Sequence, residues 1–257
     1  MDRGALSLAK TDLDRFVLGI MTSLVAALKM VLDGRDHHRL CYAAGNLIPS
    51  YKDDWPLFYS EKWESFDDQK KATFKRWHGL ISNAATIAIS EKDSGFRQAN
   101  QRSLVFLADI LENLTESFLQ ICLTYFENKP IAIKNLTGRK PRNMTTSNDI
   151  RRSVREWERS MPQKSRTRRF MTMTQEYFPS FNLDSSTLDN LDQLMLFRNR
   201  LVHELIHIPA VGEILQPLPE PTPEQVGQFH TDVAEWIQRL MDEFREMAGL
   251  EKPDLEA

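Results

Sequence analysis

Between Leu104 and Phe126 apolar residues recur at intervals of three and four. Leu104, Leu107, Leu111, Leu114, Phe118, Ile121, Cys122 and Tyr125 thereby fall on one face of a helix. A half-buried strand needs alternation instead, because successive side chains point to opposite faces, and no strong period-2 run occurs anywhere in the chain. Only ten glycines in 257 residues also count against a turn-rich β architecture. The pattern predicts an all-α protein, a helical bundle. With 41% hydrophobic and 27% charged residues, a chain of this length buries a core as one large domain or two small ones.

Further helices follow from the same reasoning. Residues 11 to 33 predict a helix that starts near Thr11 and stops at Gly34, and residues 37 to 90 hold more helical pattern, with Trp55, Phe58, Trp63, Phe74 and Trp77 as bulky anchors. The polar stretch "SEKDSGFRQANQ", Ser90 to Gln101, marks a boundary. It divides the chain into an N-terminal helical region, 1–98, and a helical domain, 99–250. "DIRRSVREWERSM" reads as a helix. "LDSSTLDNLDQLMLFRNRLVHELIH" opens on a Ser/Thr cluster able to cap and ends just before Pro209. The last helix opens on a capping box, Thr222 with Gln225, has Pro223 at its first helical position and stops at Gly249.

The apolar run Phe16 to Leu28 is 13 residues long, whereas a bilayer span needs about 20. Asp12 and Asp14 precede it where a signal peptide would be basic, so it reads as a buried helix and the chain as cytoplasmic, with no membrane partner. Cys41 and Cys122 match no metal or redox spacing and fit thiols packed in helix cores in a reducing compartment. His37 and His38 are adjacent, so on a helix they point about 100° apart and read as surface histidines rather than chelators.

The stretch "FRNRLVHELIH", Phe197 to His207, holds two overlapping patterns that share His203. From His203 onward it is HExxH, in which His203 and His207 at i and i+4 share a zinc ion and Glu204 serves as base. That hydrolase reading lacks its context. No strand is available to hold a substrate, Ala210 and Glu213 stand where the longer zinc motif has glycine and histidine, and Pro209 ends the helix. From Arg198 onward the pattern is RNxxxH. On a helical wheel Leu191, Leu194, Met195, Leu201, Val202 and Leu205 all lie within about 60° of Arg198, which places a cation in the middle of an apolar stripe. A buried cation must be given an anion, a hydrogen-bond network or a wet interface, because an uncompensated one costs several kcal/mol. Asn199 and His203 share the edge of that face, whereas Arg200 and Glu204 point away and read as solvated. Glu112 and Glu116 on the preceding amphipathic helix are possible partners for Arg198, without either being assigned.

"LDNLDQLMLFRNRLVH" resembles the RxxxxH signature of the HEPN superfamily, small all-α domains found in many prokaryotic toxin and anti-phage ribonucleases. The resemblance covers about residues 100 to 249 and is specific at Arg198, the polar Asn199 directly after it, and His203. It implies a metal-independent endoribonuclease with no cofactor, whose active site forms between two protomers of a homodimer. RNA carries its own nucleophile, the 2′-hydroxyl. His203, near neutral in pKa, would shuttle the proton, Arg198 would stabilise charge on the phosphorane, and Asn199 would orient the phosphate or the imidazole. The products would be a 2′,3′-cyclic phosphate and a 5′-hydroxyl. A toxin or defence effector of this type also implies a restraining antitoxin or regulatory partner. Because a fold does not guarantee an activity, a non-catalytic HEPN-like domain that binds RNA, a nucleotide or a protein remains the alternative.

Charge is distributed unevenly. The net charge is -3, yet between Lys134 and Arg169 twelve Lys and Arg face Asp149, Glu156 and Glu158, so that window is +9 and the remainder -12. Within it, Arg139, Lys140, Arg142, Arg151, Arg152, Arg155, Lys164, Arg166, Arg168 and Arg169 form a candidate surface for tracking an RNA backbone. The competing reading is a solvated charged face.

Overall fold

In the computed structural model of the chain, which describes residues 10–52, 63–125, 147–163, 165–206 and 220–248, the first helix runs straight through Gly34. This helix, α1, spans Lys10–Lys52. Leu24, Val31, His38 and Gly45, seven residues apart, form its buried seam. Gly34 marks a close approach rather than a stop: a Cβ there would lie 2.8 Å from the Phe106 ring and 3.2 Å from His230 Cε1. Gly45 plays the same part farther along, where a Cβ would meet the Phe96 ring at 2.5 Å. A mid-helix glycine costs about 1 kcal/mol relative to alanine, and here the cost admits aromatic rings onto the helix backbone.

A 3₁₀ turn at Trp63–Ser65 precedes α2, Asp68–Asp93, whose N-terminus is capped by Asp67. The polar boundary stretch becomes a three-residue turn leading into α3, Arg97–Tyr125. Gly95 and Phe96 both adopt positive φ there, 66° and 61°. The left-handed conformation at Phe96 is offset by burial of its ring against Tyr42, centroids 4.7 Å apart, and over Gly45. Next come α4, Ser147–Ser160; α5, Arg166–Gln175; α6, Ser185–Ile206; and α7, Pro223–Ala248. No strand occurs among the described residues, and the all-α expectation holds.

Helix α3 is the central element. It touches α1, α2, α4, α5, α6 and α7. Its expected apolar face is buried at Leu104, Leu107, Leu111, Phe118 and Cys122. Ile20, Leu24 and Val31 of α1 belong to the same buried cluster as Trp157, Trp236 and Phe244, so residues on both sides of the turn at 94–96 share one core. Among the described residues no helix is long and apolar enough to cross a membrane.

Capping follows the sequence at α7: the Thr222 amide donates to Gln225 Oε1 at 2.9 Å and the Gln225 amide to Thr222 Oγ1 at 3.3 Å. At α6 the cap is Asp184 rather than the Ser/Thr cluster. Its carboxylate accepts from the Ser186 hydroxyl at 2.6 Å and the Thr187 amide at 2.8 Å, and these bonds draw its pKa down to about 2. Helix α5 was not anticipated, because "SRTRRFMTMTQ" reads as a continuation of the charge run; Ser165 caps it and Phe170 and Met173 anchor it.

The histidines correct a surface reading. His37 is exposed, but His38 is buried; its Nε2 hydrogen-bonds Asn100 Oδ1 at 2.8 Å, and the Asn100 amide donates to the Pro221 carbonyl at 2.9 Å. Cys122 is buried as expected, whereas Cys41 is only half-buried, 3.7 Å from His37 Nε2. His230 lies beside Gly34, where its Nδ1 donates to the Val31 carbonyl at 3.1 Å. Burial lowers its pKa to about 4, the neighbouring His38, Arg35 and Arg39 act in the same direction, and the Val31 bond opposes them. Since the folded pKa lies below the unfolded value, the stabilisation is complete above about pH 6.5 and is lost as pH falls toward 4. Between pH 6.5 and 5 this one group should cost the fold about 1.5 kcal/mol. Chemical denaturation at those two pH values should show a smaller difference for His230→Gln than for the native chain; equal differences would remove His230 as the cause.

Candidate functional site

Helix α6 buries Leu188, Leu191, Leu194, Met195 and Leu201, and Arg198 lies on that apolar side with its side chain 26% exposed. The anion required there comes from α3. Arg198 Nη2 donates to Asp109 Oδ1 at 3.1 Å and lies 3.7 Å from Glu112 Oε2, and Nη1 donates to Asn199 Oδ1 at 3.3 Å. Of the two acids considered from sequence, Glu112 is a partner and Glu116 is not; Asp109 was missed. The signal was available. Asp109, Glu112 and Glu116 follow one another at i, i+3 and i+7 along the edge of the apolar face of α3, where an incoming helix could place a cation.

Together these acids receive arginines from three helices. Glu112 also pairs with Arg166 of α5, while Arg166 and Arg169 share Glu158 at 3.2 and 3.0 Å. Glu116 takes Arg151 and Arg155 of α4 at 2.9 and 3.3 Å. Arg168 bonds Asp189 and Asp192 of α6, and Arg152 bonds Glu156 at 2.8 Å. The basic window therefore separates into two groups: Arg166, Arg168 and Arg169 bind helices together, and Arg151, Arg152 and Arg155 remain exposed on α4. Arg139, Lys140, Arg142 and Lys164 lie outside the described residues.

The outer edge of α6 carries a different set. Asn199 is exposed, as is Leu196, a large apolar side chain that is 58% accessible. Helical spacing puts position 203 one turn beyond Asn199, on the same edge. His203 and Glu204 belong to the last turns of α6, with their side chains outside the described set, and His207 lies outside the described residues. Arg200, expected to be solvated, is half-buried. An apolar groove of about 500 Å³ between α1 and α3, lined by Leu24, Ala27, Ile110 and Leu114 among others, reaches Asp109. Comparison with protein-family models, with curated proteins and with solved structures finds no match for this chain.

Proposed function

We propose that the chain is a metal-independent endoribonuclease of HEPN type, cutting RNA at a site that two protomers complete. The observation that carries this reading is the arrangement along α6. Arg198 is tethered on the bundle side by Asp109, while Asn199 and Leu196 occupy the exposed edge that helical register shares with position 203. A solvent-facing leucine beside polar groups suits a surface that meets a second copy, and two copies meeting there bring two Arg198 and two His203 to one cleft.

In that cleft the 2′-oxygen of a ribose attacks the adjacent phosphorus as its proton passes to a His203 imidazole. The bond from phosphorus to the 5′-oxygen then breaks, and the leaving oxygen takes up a proton. The fragments carry a 2′,3′-cyclic phosphate and a 5′-hydroxyl. Arg198 supplies fixed positive charge where the phosphorane becomes more negative, and Asn199, hydrogen-bonded to it, orients the phosphate or the imidazole. A toxin or defence effector restrained by a partner protein suits such an activity.

A second reading has its own support. Asp109 and Glu112 already compensate Arg198 within one chain, as a binding domain without catalysis would require.

The deciding experiment is incubation of the purified protein with total RNA, with and without EDTA, alongside light scattering. The nuclease reading expects a dimer at micromolar concentration, cleavage unaffected by EDTA, cleavage retained in Glu204→Gln, and at most a few-fold loss in His207→Ala. Stoichiometric zinc together with inactivation by Glu204→Gln would restore the zinc hydrolase reading, and a folded dimer that leaves RNA intact would favour the binding domain.

A further inference from the structure

Helix α4 carries arginine on one side and core on the other. Arg151, Arg152, Arg155 and Arg159 fall within about 100° of the helical wheel. Roughly opposite them Val154 and Trp157 are buried. Two of these arginines are fixed in place from below. Glu116, whose side chain is only 8% exposed, accepts from Arg151 Nε at 2.9 Å and lies 3.3 Å from Arg155 Nε, while the two arginine side chains stay 51% and 49% exposed. A buried carboxylate that holds two half-exposed guanidinium groups through their Nε side removes part of the entropy an external anion would otherwise have to overcome.

The surface is also concave. A cavity of about 430 Å³ is lined by Asn148, Arg151, Arg152, Arg155, Glu156 and Arg159. A second, of about 300 Å³, continues from it across Asn148 and Arg151 toward Gln120 and Asn113. Four arginines against Glu116 and Glu156 leave this face at +2. Arg159 has no carboxylate partner among the described residues. Arg166, Arg168 and Arg169, by contrast, are each engaged by carboxylates of neighbouring helices.

We propose that the arginine face of α4, preorganised by Glu116, binds the phosphodiester backbone of single-stranded RNA and leads it toward Arg198. The identity of the anion rests on the nuclease reading; the presence of an extended anion track rests on the geometry. From Arg151 to Arg159 the helix rises about 12 Å, more than one phosphate spans. The acids that anchor the two sets of arginines also lie in line. Glu112 is about 6 Å and Asp109 about 10 Å along α3 from Glu116, so the track and Arg198 are successive stations on one helix.

The test uses the full chain and an RNA it cannot cut, a 2′-O-methyl oligonucleotide of about a dozen nucleotides, read by fluorescence anisotropy over a range of salt. The triple variant Arg151→Gln/Arg155→Gln/Arg159→Gln takes both cations from Glu116 but leaves amide donors in their place, so circular dichroism should show its helices intact at the assay temperature even where the melting temperature falls. It should weaken binding at least about tenfold and lower the slope of log K against log salt by about 2, as expected for three lost phosphate contacts on a single strand. Arg239→Gln, a single charge loss on exposed α7 surface, should change neither. An unchanged slope and affinity in the triple variant would overturn the proposal. So would inorganic phosphate or a mononucleotide that binds as tightly as the oligonucleotide, since the site would then hold a single anion. A chain that binds this RNA through α4 yet cleaves no natural RNA would support the track and overturn the nuclease reading alone.

Discussion

Arg198→Ala and His203→Ala should each slow RNA cleavage by at least about 100-fold, because loss of a charge stabiliser or a proton-transfer group raises the barrier by several kcal/mol. The fold should survive in both. Arg198 lies between Asp109, which is 47% exposed and tolerates solvation alone, and Glu112, which keeps Arg166 when Arg198 is gone. The melting temperature of Arg198→Ala should therefore shift by no more than a few degrees, separating a catalytic defect from an unfolded chain. Arg198→Lys is the sharper comparison. A lysine preserves the charge but cannot address Asp109, Asn199 and a phosphate oxygen from one planar group, so it should recover little of the lost rate. Product ends identify the chemistry: fragments should resist 3′-end ligation until the cyclic phosphate is opened and the resulting monophosphate is removed. If Arg198→Ala and His203→Ala both cut RNA like the native chain, the roles assigned to these two residues are wrong.

The sequence made the helices legible because the spacing of apolar residues reports directly which face is buried. It also revealed the anomaly at Arg198, since a cation in an apolar stripe needs a partner whatever the fold. What it left unassigned was the partner, because pairing depends on which edge of α3 faces α6, and periodicity within one helix carries no information about its neighbour. The same limitation explains Gly34. Read locally, a glycine before "RDHH" stops a helix; in the bundle it is the gap through which Phe106 and His230 approach α1. His38 was misread for a related reason: one histidine of an adjacent pair is exposed while the other meets Asn100 from a helix far along the chain. The basic window shows the reverse. Its net charge was countable, but the share neutralised by Glu112, Glu158, Asp189 and Asp192 depends on packing, and only the remainder is available to a ligand.

The largest stability effect should come from Glu112, the acid on which α3, α5 and α6 converge. Its side chain is 13% exposed and it serves two cations, Arg166 and Arg198. Removing one member of a fully buried ion pair costs about 3–5 kcal/mol, chiefly because the remaining charge is left without compensation. The two arginines here retain 31% and 26% exposure, so water would relieve part of that cost, and about 2–4 kcal/mol is expected for Glu112→Ala. Arg166 keeps Glu158 and Arg198 keeps Asp109, which sets the lower end of that range. If the cost arises from stranded charge, removing a stranded partner should recover part of it. Glu112→Ala/Arg166→Met should be more stable than Glu112→Ala alone, with a coupling of about 1–2 kcal/mol in a double-mutant cycle. Methionine keeps an unbranched apolar side chain beside Phe170, whose ring centroid lies 5.1 Å from the Arg166 guanidinium carbon. Urea unfolding of the four proteins decides the matter. Additive losses would mean that Glu112 stabilises the bundle through packing alone, and the three-helix junction would then owe nothing to its charges.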